Sequence, residues 1–199
     1  MYKSGMTKIN RGFTLVELLI VIAILAVLST ATVVVLNPVE LLRQARDSQR
    51  VTDMDTLKTA LGMYVASVTP INLDAAIALC EVAGTKGSAY PAPATGTFTV
   101  AANIEPLVAN SRLITGVGWI PVIFTDIPGG SPIPTLPIDP TGTGDLIYRY
   151  ACNNTLGTFE LNAKLESTKF SGASPNLDLD GKDGGNDAAF YEVGTSLTL

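Results

Sequence analysis

The chain has 199 residues, 47% of them hydrophobic and 16% charged, with a net charge of −5, two cysteines and no histidine. The absence of histidine removes the commonest general base and the usual zinc ligand, and no nucleophile motif stands in for it, so the composition argues against an enzyme. The negative balance argues against generic binding to phosphate backbones, and the length suits one soluble domain of modest size.

Residues 1–12 form a basic leader containing Lys3, Lys8 and Arg11 and no acid; without these three cations the net charge moves from −5 to −8. From Phe13 to Leu36 run 24 residues in which Glu17 is the one charged side chain. As a helix they extend roughly 36 Å, enough to cross a hydrocarbon core of about 30 Å, and the positive-inside rule places the leader in the cytoplasm. A lone carboxylate in such a segment costs on the order of 3 kcal/mol, so Glu17 should have a partner. A cut after Gly12 would create one: the α-amino group of Phe13 lies four residues away, about one helical turn. The amine of the same chain or that of a neighbouring subunit can serve, and the second choice would set register between packed helices. Two plainer readings compete. A secretory signal peptide cleaved near Ser29-Thr30-Ala31 would have an apolar core that is too long and holds an acid, and a simple single-pass anchor leaves Gly12 and Glu17 unexplained.

Gly12-Phe13-Thr14-Leu15-Val16-Glu17, placed after a basic leader, closely resembles the class III signal of type IV prepilins and type II secretion pseudopilins. The resemblance implies that a membrane-embedded prepilin peptidase cuts between Gly12 and Phe13 and N-methylates Phe13. It also puts Glu17 at the family's acidic assembly position. The product would be a structural subunit of a helical homopolymer, built with a pilus or type II secretion assembly platform and minor pilins. The precursor would cross the cytoplasmic membrane once, and the mature domain would lie outside it, in a periplasmic or cell-surface filament.

Pro38 follows the apolar run, and the residue before a proline is biased away from α geometry, so a kink is expected there. Residues 37–69 then read as an amphipathic continuation. Met54, Leu57, Leu61, Tyr64 and Val68 recur at spacings of three and four, which gives one apolar face, while Arg46, Arg50, Asp53 and Lys58 fall among polar positions. Arg43, Arg46 and Arg50 interleave with Asp47 and Asp53 and have no aromatic nearby, so a solvated face or intersubunit charge is expected rather than a nucleic-acid patch. Arg46 to Arg50 and Ala60 to Tyr64 resemble the corresponding helix of G-type pseudopilins.

Residues 70–199 form the globular part. Asp74 to Val82 and Glu105 to Ile114, the latter with Asn103 as N-cap, read as short helices in a segment rich in proline and glycine. Cys80 and Cys152 are candidates for a disulfide in an oxidising compartment. Leu136-Pro137-Ile138-Asp139-Pro140 is irregular by composition and resembles the Leu-Pro-x-Asp-Pro turn of G-type pseudopilins. Leu146 to Tyr150 and Phe159 to Leu165 read as a hairpin turning through Asn153 to Gly157, and Phe190 to Leu199 as a further strand or extended tail.

The acidic loop 176–187 has ligand-like spacing. With Asn176 first, oxygen donors fall at positions one, three and five (Asn176, Asp178, Asp180), Gly181 at six and Asp187 at twelve, the oxygen spacing of an EF-hand-type loop. Resemblance to the C-terminal calcium loop of G-type pseudopilins adds Asp183, and calcium is the one cofactor expected. The fold class expected is α+β: a pilin-like long N-terminal helix, its apolar half transmembrane and kinked near Pro38, packed on a small antiparallel sheet of about three strands. Two functions compete within it, a type II secretion pseudopilus and a surface pilus for adhesion, motility or DNA uptake. The reading from another class is a membrane-anchored binding domain that never polymerises.

Overall fold

The computed structural model describes residues 12–75, 80, 87–90, 104–105, 112–172 and 177–199. The chain divides into two compact units, Met1–Leu41 and Leu42–Leu199. In the first, α1 runs Leu15–Leu36, starting two residues after Phe13 because Thr14 caps it in an extended conformation (φ −79°, ψ 151°). The span Leu15–Thr32 has a mean hydropathy of 2.5 and none of it is buried, so by length and composition it can cross a membrane. Its hydroxyls are satisfied within the helix: those of Ser29, Thr30 and Thr32 donate to the carbonyls four residues back, at 2.7, 2.8 and 2.8 Å. The expected break is at Asn37, which takes the left-handed conformation (φ 39°, ψ 73°) tolerated by asparagine and lets Pro38 open α2, Pro38–Ser67.

In the second unit, Met54, Leu57, Leu61 and Tyr64 of α2 are all buried, as their spacing predicts. The sheet has five strands in the order β2-β1-β3-β4-β5: β1 Gly87–Tyr90, β2 Ile104–Glu105, β3 Tyr148–Asn153, β4 Thr158–Ala163 and β5 Tyr191–Gly194. The expected three-stranded antiparallel set is β3-β4-β5, with β3 and β4 joined through a turn that needs Gly157 at φ 63°. Two further strands extend it, β1 antiparallel to β3 and β2 parallel to β1. The helix expected from Glu105 is therefore corrected at its start, where residues 104–105 pair with the backbone groups of β1, a tertiary contact that overrides local propensity. Of the expected helix from Asp74, the described residues Asp74, Ala75 and Cys80 are not helical. At the end of the segment expected from Glu105, Arg112, Leu113 and Ile114 are not helical either, and the rest of both segments, with Asn103, lies outside the described residues.

Tyr148, Tyr150, Cys152, Phe159, Leu161, Ala163 and Val193 alternate along β3, β4 and β5 and meet the apolar face of α2, and Trp119, Val122, Phe124 and Leu136 from the irregular segment close the core. At about 1.5–3 kcal/mol for each large side chain removed from water, this cluster is the main stabilising term of the unit. The chain after α2 is held by polar pins. Tyr64 and Tyr150 donate their hydroxyls to the carbonyls of Asn72 and Leu73, both at 2.9 Å, and the Leu73 amide donates to Asn154 Oδ1 at 2.7 Å. Beside these pins Cys80 and Cys152 form a disulfide, with a Cα–Cα distance of 5.0 Å.

Candidate functional site

The residues singled out in the sequence fall in two places, and a third cluster emerges only in the fold. The first place is the helix start. Glu17 is the third residue of α1, and its Oε2 accepts both the backbone N–H of Thr14 at 2.9 Å and the Thr14 hydroxyl at 2.8 Å, while the Glu17 amide donates to Thr14 Oγ1 at 3.3 Å. This capping box satisfies amide donors that a helix start leaves orphaned, and it places the carboxylate where the helix dipole favours it. Among the described residues nothing bonds Oε1. The partner that Glu17 requires is thus found in part within its own chain. Gly12 and Phe13 precede the cap and are exposed, so the Gly12–Phe13 peptide lies outside the helix.

The second place is the acidic loop. Asn176 lies outside the described residues. Asp178 is left-handed (φ 39°, ψ 57°) and opens α3, Leu179–Lys182; Lys182 Nζ lies 4.0 Å from its Oδ2. A Cβ at Gly181 would stand 2.8 Å from Asp178 Oδ1, which explains glycine there. Asp180 is buried with its Oδ1 lacking a hydrogen-bond partner, and burial, reinforced by Asp178, raises its pKa. Asp183 and Asp187 are engaged differently. Asp183 Oδ1 accepts from the Gly185 amide at 2.8 Å and its Oδ2 from the Glu192 amide at 2.6 Å, while Asp187 Oδ1 accepts from the Ala189 amide at 3.0 Å. Among the described residues no three His, Cys, Asp or Glu side chains are grouped to hold a metal ion.

The loop closes against polar side chains on the outer face of the sheet. Glu160 and Glu192 are both buried, and Asn162 Nδ2 donates to an oxygen of each, at 3.0 and 3.2 Å. The Leu199 amide donates to Glu160 Oε2 at 2.8 Å and the Asp187 amide to Glu192 Oε2 at 3.1 Å. Burial, with Glu160 close by, pushes Glu192 up to about 8. The alternation of β4 identifies Glu160 and Asn162 as polar, but not that the C-terminal segment covers them.

The third cluster corrects the expectation of a solvated or intersubunit charged face on α2. Arg50 and Asp47 are fully buried inside their own chain. All five Arg50 N–H donors are used: Nε and Nη2 grip Asp139 at 2.7 and 2.9 Å, Nη1 reaches Asp47 at 2.8 Å and Glu166 at 2.6 Å, and Nη2 also reaches Thr141 at 3.0 Å. Arg46 grips Glu166 through two bonds of 2.8 and 2.7 Å, and Asp47 accepts the Glu166 and Ser167 amides. Burial alone would lower the Arg50 pKa, but Asp139, Glu166 and Asp47 outweigh it and raise it. The Arg46 bond, helped by Arg50, holds Glu166 at about 2. The node thereby ties one turn of α2 to the Asp139–Pro140 turn and to the segment after β4, and it leaves Arg46 and Arg50 turned away from any outward basic patch. Nothing in the local sequence indicates this, because Asp139 and Glu166 lie 89 and 116 residues from Arg50.

Residues 7–33 match the family model of the prokaryotic N-terminal methylation motif, the signal of type IV pilin-like and pseudopilin precursors. The match covers the leader end, Gly12, Phe13, Glu17 and most of α1. No curated protein and no solved structure matches the chain.

Proposed function

We propose that this protein is a structural subunit of a pilus-type filament, made as a single-pass membrane precursor, cut between Gly12 and Phe13 by a prepilin peptidase, methylated on Phe13 and polymerised through α1. The observation that carries the reading is the capped start of an apolar helix, unburied from Leu15 to Thr32, placed two residues beyond the proposed cut. Polymerisation exchanges lipid contacts for helix contacts on the same surface, so α1 serves both as anchor and as filament core.

Glu17 divides its work in this mechanism. Oε2 stays with Thr14, which keeps the carboxylate on the first turn, and Oε1 receives the ammonium group made by cleavage, from its own chain or from a neighbour. A charge-assisted hydrogen bond of this kind contributes roughly 1.5–3 kcal/mol, comparable to the cost of placing the acid in the membrane. The secretion pseudopilus is the preferred machine, on the resemblance of the Leu136 to Pro140 turn, which here anchors Arg50 through Asp139. Co-expression with a prepilin peptidase and an assembly platform tests the proposal. Sedimentable filaments of cleaved subunit support it, and a cleaved or uncleaved protein that stays in the membrane as monomer contradicts it.

A further inference from the structure

We infer that the C-terminal acidic loop of this chain is closed by its own side chains and requires no calcium. A calcium ion takes six to eight oxygen ligands, and the spacing of Asn176, Asp178, Asp180, Asp183 and Asp187 suggests a loop that supplies them. Among the described residues, Asp183 and Asp187 spend their oxygens on backbone amides instead. Both oxygens of Asp183 hold backbone amides, that of Gly185 at the turn and that of Glu192 in β5, so this one carboxylate fastens the loop to the sheet. Glu192 returns the tie: its Oε2 accepts the Asp187 amide, and its Oε1 is fixed by Asn162 of β4. Gly185 packs so closely on the Glu192 carboxylate that a Cβ would overlap it, so the loop backbone covers that carboxylate. Farther along, Asp178 faces the Lys182 ammonium at 4.0 Å, a cation already supplied by the chain. Among the described residues of the loop, the one buried side-chain oxygen without a hydrogen-bond partner is Asp180 Oδ1, and no group of three acids surrounds it. Asp183 and Asp187 are therefore latches, with Asp183 the central one, holding the loop and β5 in place.

The test is thermal unfolding of the full chain in detergent, with excess EGTA and then with millimolar calcium chloride, for wild type and Asp183→Asn. The wild-type midpoint should be the same in both conditions. Asp183→Asn sets an amide N–H against a backbone N–H, and should lower the midpoint by about 3 °C or more, equally with and without calcium. A wild-type midpoint that falls with EGTA and recovers saturably with calcium would overturn the inference, as would a penalty for Asp183→Asn that appears in calcium alone. The wild-type comparison decides the matter even if the variant fails to fold, and neither outcome depends on whether the protein polymerises.

Discussion

Replacing Arg50 by alanine should unfold the globular unit far more readily than replacing Arg46 one turn away. Arg50 is buried and satisfies Asp47, Asp139 and Glu166 together, so the variant leaves Asp47 and Asp139, both fully buried, without their cation and Glu166 with Arg46 alone. Removing one partner of a buried ion pair costs about 3–5 kcal/mol, a large share of a total stability of about 5–15 kcal/mol. For a unit of this size that is a fall in the unfolding midpoint of about 10 °C or more. Arg46 has one third of its side chain exposed and shares Glu166 with Arg50, so its removal should cost about 1 kcal/mol or less. Lysine at position 50 should recover little, because a single ammonium cannot reproduce five donors in a planar fork. Circular dichroism melts of the full chain in detergent measure all three. Equal midpoints for Arg50→Ala and Arg46→Ala would refute the buried node and return these arginines to the surface of α2.

The same node sets the acid stability. Glu166 is held at about 2 in the folded chain against an ordinary value of 4.5, so its contribution is present above the ordinary value and is lost as pH falls through about 2; unfolding free energy measured from pH 5 to pH 2 should drop by on the order of 3 kcal/mol from this group, and losing either Arg46 or Arg50 should flatten the profile in part. Cys152→Ser opens a bridge spanning 72 residues and should cost about 4 kcal/mol in the chain-entropy account, read as a lower melting midpoint matched by wild type under reducing conditions. Thr14→Val removes the hydroxyl but keeps the backbone N–H that Glu17 accepts, at a cost of about 1 kcal/mol for a lost cap, and should reduce filament yield without abolishing it. Glu17→Gln should abolish filaments; abundant filaments from that variant would remove the carboxylate from the assembly account.

How far the sequence was readable depends on how local each signal is. The helix start was legible because glycine, aromatic and acid stand within six residues of an uncharged run, and the apolar face of α2 because its spacing repeats over four turns. The β3-β4 hairpin was legible from its alternation and its turn residues. The role of Thr14 is readable in principle, since threonine followed three residues later by glutamate is a capping box, and it gives Glu17 a partner besides the amine. Arg50 was misplaced because charged residues between polar neighbours look solvated until Asp139 and Glu166 arrive from distant segments. The ties of the acidic loop are equally non-local: spacing shows the oxygen donors, but not that Asp183 meets two backbone amides, one of them in β5. Strand β2 was missed because two residues carry almost no pattern and exist as a strand only through β1.

The most direct test of the central claim is mass spectrometry of the mature protein recovered from cells that carry a prepilin peptidase. The account predicts an N-terminus at Phe13 bearing one added methyl group, with residues 1–12 removed. A mature chain beginning after Ala31, or one retaining its leader, would contradict it.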